Sequence, residues 1–157
     1  MAGWRIGMVA AQPEIISEIL KVKSQMDSGM FKALQLSAIE ALSQGPEWFE
    51  QLNEEYSLRQ VEAGKIFDLL GVEYDTRSSG LFLWGRVGKD NPLVRDLPSD
   101  GRTLGEKMSD VLLFDAGVFM TPGFVFGNNG SDYVRISLCA TVPVLRKAYN
   151  NIKGIMG

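Results

Sequence analysis

Between Glu14 and Leu70 apolar residues recur at helical spacing, and beyond Gly71 the pattern shortens to strand-length runs separated by turn formers. Trp4 to Ala10 is largely apolar and ends at Gln12-Pro13, which predicts a strand leading into a helix with proline in its first turn. Ile15, Ile16, Ile19, Leu20 and Val22 mark that helix, and Gly29 interrupts it. A second helix is expected from about Phe31 to Leu42, with Leu34, Ala38, Ile39 and Leu42 on one face, before Gly45-Pro46 breaks it. The longest periodic segment runs from Pro46 to Leu70, with Gly71 as its stop and mostly one buried side.

The remainder reads as short strands and helices. Leu81 to Arg86 predicts a strand, and Asp90-Asn91-Pro92 with Pro98-Ser99-Asp100-Gly101 a loop. Thr103, with Glu106 three positions on, has the spacing of a capping box for a helix to about Leu113. Gly117 to Met120 is expected as a short strand, turned by Thr121-Pro122-Gly123. A second turn at Phe126 to Gly130 then feeds a strand from Tyr133 to Cys139. Pro143 opens a terminal helix, Val144 to Ile152, with Gly154 and Gly157 frayed beyond it. Helices first, then strands mixed with helices, predict an α+β layout, in which helices cover one face of a small, mostly antiparallel sheet.

Composition narrows the chemistry. The chain has 157 residues, 45% hydrophobic and 22% charged, within the range of one ordinary globular domain. A net charge of −3 argues against nucleic acid, whose binders carry clustered lysine and arginine. No apolar run is long enough for a membrane span, and the amino terminus lacks the features of a signal peptide. A single cysteine, Cys139, rules out a disulfide framework within the chain and fits a reducing, cytoplasmic setting. With no histidine and one cysteine, most metal centres and any Ser-His-Asp or Cys-His system are excluded; no metal site is expected. Any chemistry must use carboxylate, lysine, tyrosine or a cofactor.

Met1-Ala2-Gly3-Trp4-Arg5-Ile6-Gly7 resembles the segment that follows the cofactor lysine in the class I/II pyridoxal-phosphate aminotransferases, the aspartate-aminotransferase-like enzymes. Asp27-Ser28-Gly29-Met30-Phe31, with Gln35 and Ala38 to Leu42, is similar to that family's helix-turn-helix. Ser79 to Trp84 resembles a small-domain strand. The most specific match is Val118 to Gly127, containing Pro122-Gly123 and Phe126-Gly127, followed by Tyr133-Val134-Arg135-Ile136-Ser137. The resemblance runs along nearly the whole chain. It implies an α/β family in which residues 1–45 end the large cofactor-binding domain and 46–157 form the carboxy-terminal small domain, bridged by the long helix.

The same resemblance assigns roles. Arg5 would bind the pyridoxal phosphate group, a task suited to a planar, bidentate donor; read by position alone it is an exposed strand-end charge. Arg135 would clamp the α-carboxylate of the amino-acid or 2-oxo-acid substrate; without the resemblance, strand alternation simply turns it to solvent. Ser28, Met30 and Phe31 would approach the neighbouring active site across a homodimer interface, although Gly29 stands where some relatives carry asparagine. The plain alternative is a helix-helix turn with Phe31 in the core. Gly123 and Gly127 fit turn geometry better than phosphate binding, and Trp4, Trp48 and Trp84 are expected in core or interface. The lysine that bonds the cofactor would lie ahead of Met1, so no catalytic residue is assigned. Lys21, Lys23 and Lys32 do not replace it.

The expected function is thus that of a carboxy-terminal piece of an aminotransferase, inactive alone and prone to self-association through an unpaired strand edge. The alternative is a natural stand-alone small domain that binds carboxylates or assembles with a partner. Substrate choice is not legible, beyond a lean toward an aspartate-like or diaminopimelate-like branch.

Overall fold

The computed structural model describes residues 2–156. The chain divides into two compact units, residues 1–51 and 52–157, each taken by itself. The long helix α3, Pro46–Leu70, runs through the division.

In the first unit a short 3-10 turn, Ala2–Trp4, leads through an irregular segment to α1, Pro13–Met26, and then to α2, Lys32–Leu42. The strand expected at Trp4 to Ala10 is absent. A strand is defined by its ladder partner, and the ladders among the described residues lie wholly in the second unit. Proline starts α1 as predicted, and Gly29, at φ +123°, separates the two helices. Neither helix contains a buried residue. The half-covered face of α2 is Leu34, Ser37, Ala38 and Ala41, whereas Ile39 and Leu42 are exposed, so the expected stripe is rotated toward its small residues. Phe31 is exposed rather than a core residue. Trp4, Trp48 and Trp84 are likewise all outside the buried core.

The second unit is a four-stranded antiparallel sheet with one face against helices. The strands are β1 (Glu73–Tyr74), β2 (Phe82–Arg86), β3 (Thr121–Pro122) and β4 (Tyr133–Ser137), in the order β1-β2-β4-β3. The helices are the carboxy-terminal half of α3, then α4 (Leu104–Ala116) and α5 (Val142–Ile155). Ala63, Ile66, Phe67 and Leu70 of α3 meet Leu83 of β2 and Val134 and Ile136 of β4 in one core. Met108 and Leu112 of α4 and Leu145 and Ile152 of α5 complete it. This is the α+β arrangement the sequence predicts.

Local chemistry sets the ends of these elements. Gly71 (φ +62°) stops α3, and the buried Asn91 amide donates to Leu70 O at 2.6 Å, tying the loop after β2 to that helix end. Thr103 and Glu106 form the predicted capping box on α4. Helix α4 runs three residues beyond the predicted Leu113 and ends at Gly117 (φ +64°), so the strand expected from Gly117 to Met120 begins instead at Thr121. Strand β4 stops at Ser137, the residue opposite Phe82 where β2 begins, rather than at Cys139. Helix α5 includes Gly154, expected to be frayed; Gly157 lies outside the described residues.

Two ion-pair groups brace the unit. Glu62 of α3, itself buried, accepts from Arg146 of α5 and from Lys65, each at 3.0 Å, and the Arg146 guanidinium, then Lys65, holds its carboxyl below the usual range. Arg102 joins Asp100 and Asp110, each at 2.6 Å, fastening the loop ahead of α4; its hydrogen bond to Asp100 holds that carboxyl down to about 2. A depressed folded-state value gives stability that is present above the unfolded value near 3.8 and lost as pH falls toward 2. We therefore expect Asp100 to titrate near pH 2 in a carboxyl-detected NMR titration, with Arg102→Gln returning it toward an ordinary aspartate; an unshifted Asp100 in the parent chain would count against this brace.

Gly85 of β2 is where sheet and helix approach most tightly. A Cβ there would lie 2.5 Å from Val72 Cγ1 and 2.8 Å from two ring carbons of Phe67, all in the core. We expect Gly85→Ala to destabilise the second unit by about 1 to 3 kcal/mol, the usual cost of overpacking, read as a lower midpoint in urea unfolding; an unchanged midpoint would show that the contact relaxes freely.

Candidate functional site

The alternation along β4 sends Val134 and Ile136 into the core and leaves Tyr133, Arg135 and Ser137 half-buried on the opposite face. Strand β2 alternates in the same way: Leu83 and Gly85 point inward, Phe82, Trp84 and Arg86 outward. Register then places Arg135 opposite Trp84 on one side and opposite Thr121 of β3 on the other. Phe82, opposite Ser137, stands diagonal to Arg135, within reach of a long side chain.

The Arg135 guanidinium carbon lies 4.1 Å from the centroid of the Phe82 ring and 4.6 Å from that of Phe126. Its Nη2 reaches Thr121 Oγ1 at 3.5 Å, the limit of a hydrogen bond. Its Nε is buried and has no hydrogen-bond partner among the described residues. Arginine takes part in several ion pairs among the described residues, but none of them involves Arg135. Around this group Trp84 stacks on Tyr133 (5.4 Å, 17°) and meets the edge of Phe126 (5.6 Å, 69°). The result is a cation held against aromatic faces without a protein carboxylate to neutralise it, a receptor suited to an anion that presents two oxygens.

Phe126 arrives from the 3-10 turn Gly123–Phe126 that follows β3. That turn is set by contact between two glycines: a Cβ on Gly123 would meet Gly130 O at 2.3 Å, and one on Gly130 would meet Gly123 O at 2.2 Å. Pro122-Gly123 and Gly127 are therefore turn-forming residues, as their sequence context suggests.

Arg5 lies in the first unit, exposed, in the turn after the first 3-10 segment. It is the only described residue other than glycine with positive φ, at 56°. The left-handed conformation costs a non-glycine residue about 1 to 2 kcal/mol. Ser28, Met30 and Phe31 sit in the exposed link between α1 and α2. Lys21 pairs with Glu18 at 2.5 Å and Lys23 with Asp27, both on the surface of α1. The buried Lys107 donates to Pro98 O at 2.7 Å. Each of these three amines is thus engaged by an acceptor of its own surroundings. No group of metal-ligating side chains occurs among the described residues. No helix of the described residues is long and apolar enough to cross a membrane.

The family resemblance singled out Arg135; neither it nor residue spacing assigned a role at this site to Phe82, Phe126, Thr121, Trp84 or Tyr133. The diagonal position of Phe82 was available from the strand alternation once the register was known, but Phe126 comes from a turn whose direction no periodic pattern records.

The model of the aminotransferase class I and II family matches residues 1–152, and the chain belongs to that family. It is 32% identical over 155 residues to the LL-diaminopimelate aminotransferase of Oleidesulfovibrio alaskensis, covering 99% of this chain and 37% of that protein. Identity to the enzyme of the same name from Aquifex aeolicus is also 32%, with the same coverages. Among solved structures, the aromatic aminotransferase from Pyrococcus horikoshii superposes with a TM-score of 0.77 at 27% identity, over 99% of this chain and 39% of that one. BacF from Bacillus subtilis gives 0.74 at 30% identity, over 99% and 37%. The chain therefore spans little more than a third of the length of these relatives.

Proposed function

We propose that the chain is the carboxy-terminal part of a pyridoxal-phosphate-dependent aminotransferase, in which Arg135 binds the α-carboxylate of the amino-acid and 2-oxo-acid substrates. The observation that carries this reading is the half-buried Arg135 guanidinium, turned away from the core and held between aromatic rings with no carboxylate of its own. A bidentate pair there would fix the substrate's orientation, and so the direction of its Cα–H bond, before proton removal. In this reading residues 1–45 close the large cofactor-binding domain and residues 46–157 make the small domain.

Arg5 suits the phosphate of the cofactor. Its guanidinium is exposed, none of the ion pairs among the described residues uses it, and its left-handed backbone is the kind of local cost that gathers at binding sites. When bound, pyridoxal phosphate supplies an electron sink for the charge that develops at the substrate Cα. This chain contributes grip and orientation on either side of that chemistry. The group that moves the proton lies outside it, and the chain alone is accordingly inactive. Ser28, Met30 and Phe31, exposed between α1 and α2, are placed in the proposal at a homodimer interface near the neighbouring site. The relatives named as LL-diaminopimelate aminotransferases favour an amino-acid substrate of that kind, and the single cysteine favours a cytoplasmic setting.

In the full-length enzyme, Arg135→Lys is expected to raise KM for both the amino acid and the 2-oxo acid by about ten-fold or more, as the planar two-point contact becomes a single point charge. Unchanged steady-state kinetics would remove Arg135 from this role. The 157-residue chain by itself, supplied with pyridoxal phosphate and both substrates, is expected to show no transamination in a coupled assay. Turnover would mean that one of its own lysines serves the cofactor.

A further inference from the structure

We propose that Phe82 and Phe126 form a paired aromatic clamp that positions Arg135 for an incoming carboxylate without neutralising it, an inference that rests on the reading of Arg135 as the carboxylate-binding arginine. Both rings are partly in solvent, 40% and 55% exposed, so core packing does not account for either. What they share is the guanidinium, at 4.1 and 4.6 Å, well inside the range of about 6 Å over which a ring face attracts a cation.

An arginine side chain loses considerable rotamer freedom when it is held in one place. Arg59, the other half-buried arginine among the described residues, is ordered by a carboxylate, that of Glu55 at 2.8 Å. Such a partner would compete with a carboxylate ligand. Aromatic faces do not: they attract the cation through their quadrupole and leave its full charge available. Beyond the rings, the hydrogen-bond partner of the Arg135 side chain among the described residues is Thr121, at 3.5 Å, too long to orient it firmly.

The two rings reach the site independently. Phe82 stands on β2, placed by the ladder to β4. Phe126 stands on the turn held by the Gly123–Gly130 contact and rests its ring against Trp84 at 5.6 Å. With Nε buried and unpartnered, the Nη1 and Nη2 edge is left to take the ligand end-on. Holding that edge in place before binding removes part of the ordering cost that the ligand would otherwise meet.

The clamp is tested on the chain by NMR, following the Arg135 Nε–H signal during titration with pyruvate. The parent chain should show a resolved Nε–H that exchanges slowly with solvent and shifts on binding. Phe82→Leu and Phe126→Leu should each weaken pyruvate binding by about three- to five-fold and speed Nε–H exchange, and the double variant should lose about ten-fold or more. Phe126→Tyr keeps the ring and should restore both readouts, with melting midpoints unchanged throughout. Wild-type affinity and exchange in the double Leu variant, or failure of Phe126→Tyr to restore them, would overturn the clamp. Arg135→Lys separates the two ideas: if it leaves pyruvate binding intact, the carboxylate role itself fails; if it abolishes binding while the Leu variants behave as wild type, only the clamp fails. A parent chain whose Arg135 signal ignores pyruvate would sink both.

Discussion

The pairing of β2 with β4 is the constraint on which the rest of the second unit depends. Five successive residue pairs, Phe82 with Ser137 through Arg86 with Tyr133, fix which side chains face the helices and which face away. Because side chains alternate across a strand, a slip of β4 by one residue would carry Val134 and Ile136 out of the core and turn Arg135 into it. Burying that charge without a partner would cost several kcal/mol. The hydrophobic core and the arginine's orientation are therefore two consequences of one register. Gly85 belongs to the same argument: its missing Cβ lets Phe67 and Val72 close over the inward face of β2.

The outward face of the ladder is built to a different rule. It carries aromatic rings and two arginines, Arg86 and Arg135, with the ion pairs among the described residues elsewhere: Glu62 holds α3 to α5, and Arg102 fastens the loop before α4. Carboxylates thus brace the helical layer and the loop, while Arg135 is left without one. A scaffold that neutralised every arginine would be no less stable, since exposed pairs contribute little, but it could not receive an anion there. In the proposed function that anion is the carboxylate of an amino acid or 2-oxo acid.

The first unit behaves differently. Its helices form where proline, glycine and apolar spacing place them, yet neither buries a residue, and Ile15, Ile19, Val22 and Met26 of α1 lie exposed along one stripe. Helix formation is local, whereas burial needs a second surface. Trp4 to Ala10 shows the sharper case: an apolar run with strand composition remains irregular, because a strand cannot exist without a neighbour to share its hydrogen bonds. The chain's coverage of little more than a third of its relatives' length accords with elements that carry apolar faces and no partner.

Much of the fold was legible in the chain. Pro46 and Gly71 bracket α3 as read, the Thr103–Glu106 spacing is a formed capping box, and the alternation around Arg135 places it opposite the core. These features are determined by sequence because their causes act over a few residues: a fixed proline φ, a glycine in the left-handed region, a side chain reaching three positions along a helix. What only the tertiary structure decided has long-range causes. The extra turn of α4 moves β3 from Gly117 to Thr121, the rotated face of α2 exposes Ile39, and a turn closed by Gly123 against Gly130 swings Phe126 onto Arg135. The alternation showed the arginine only as an outward-facing strand residue, and its role came from the family resemblance; the rings that hold it come from separate segments, and only folding brings them together.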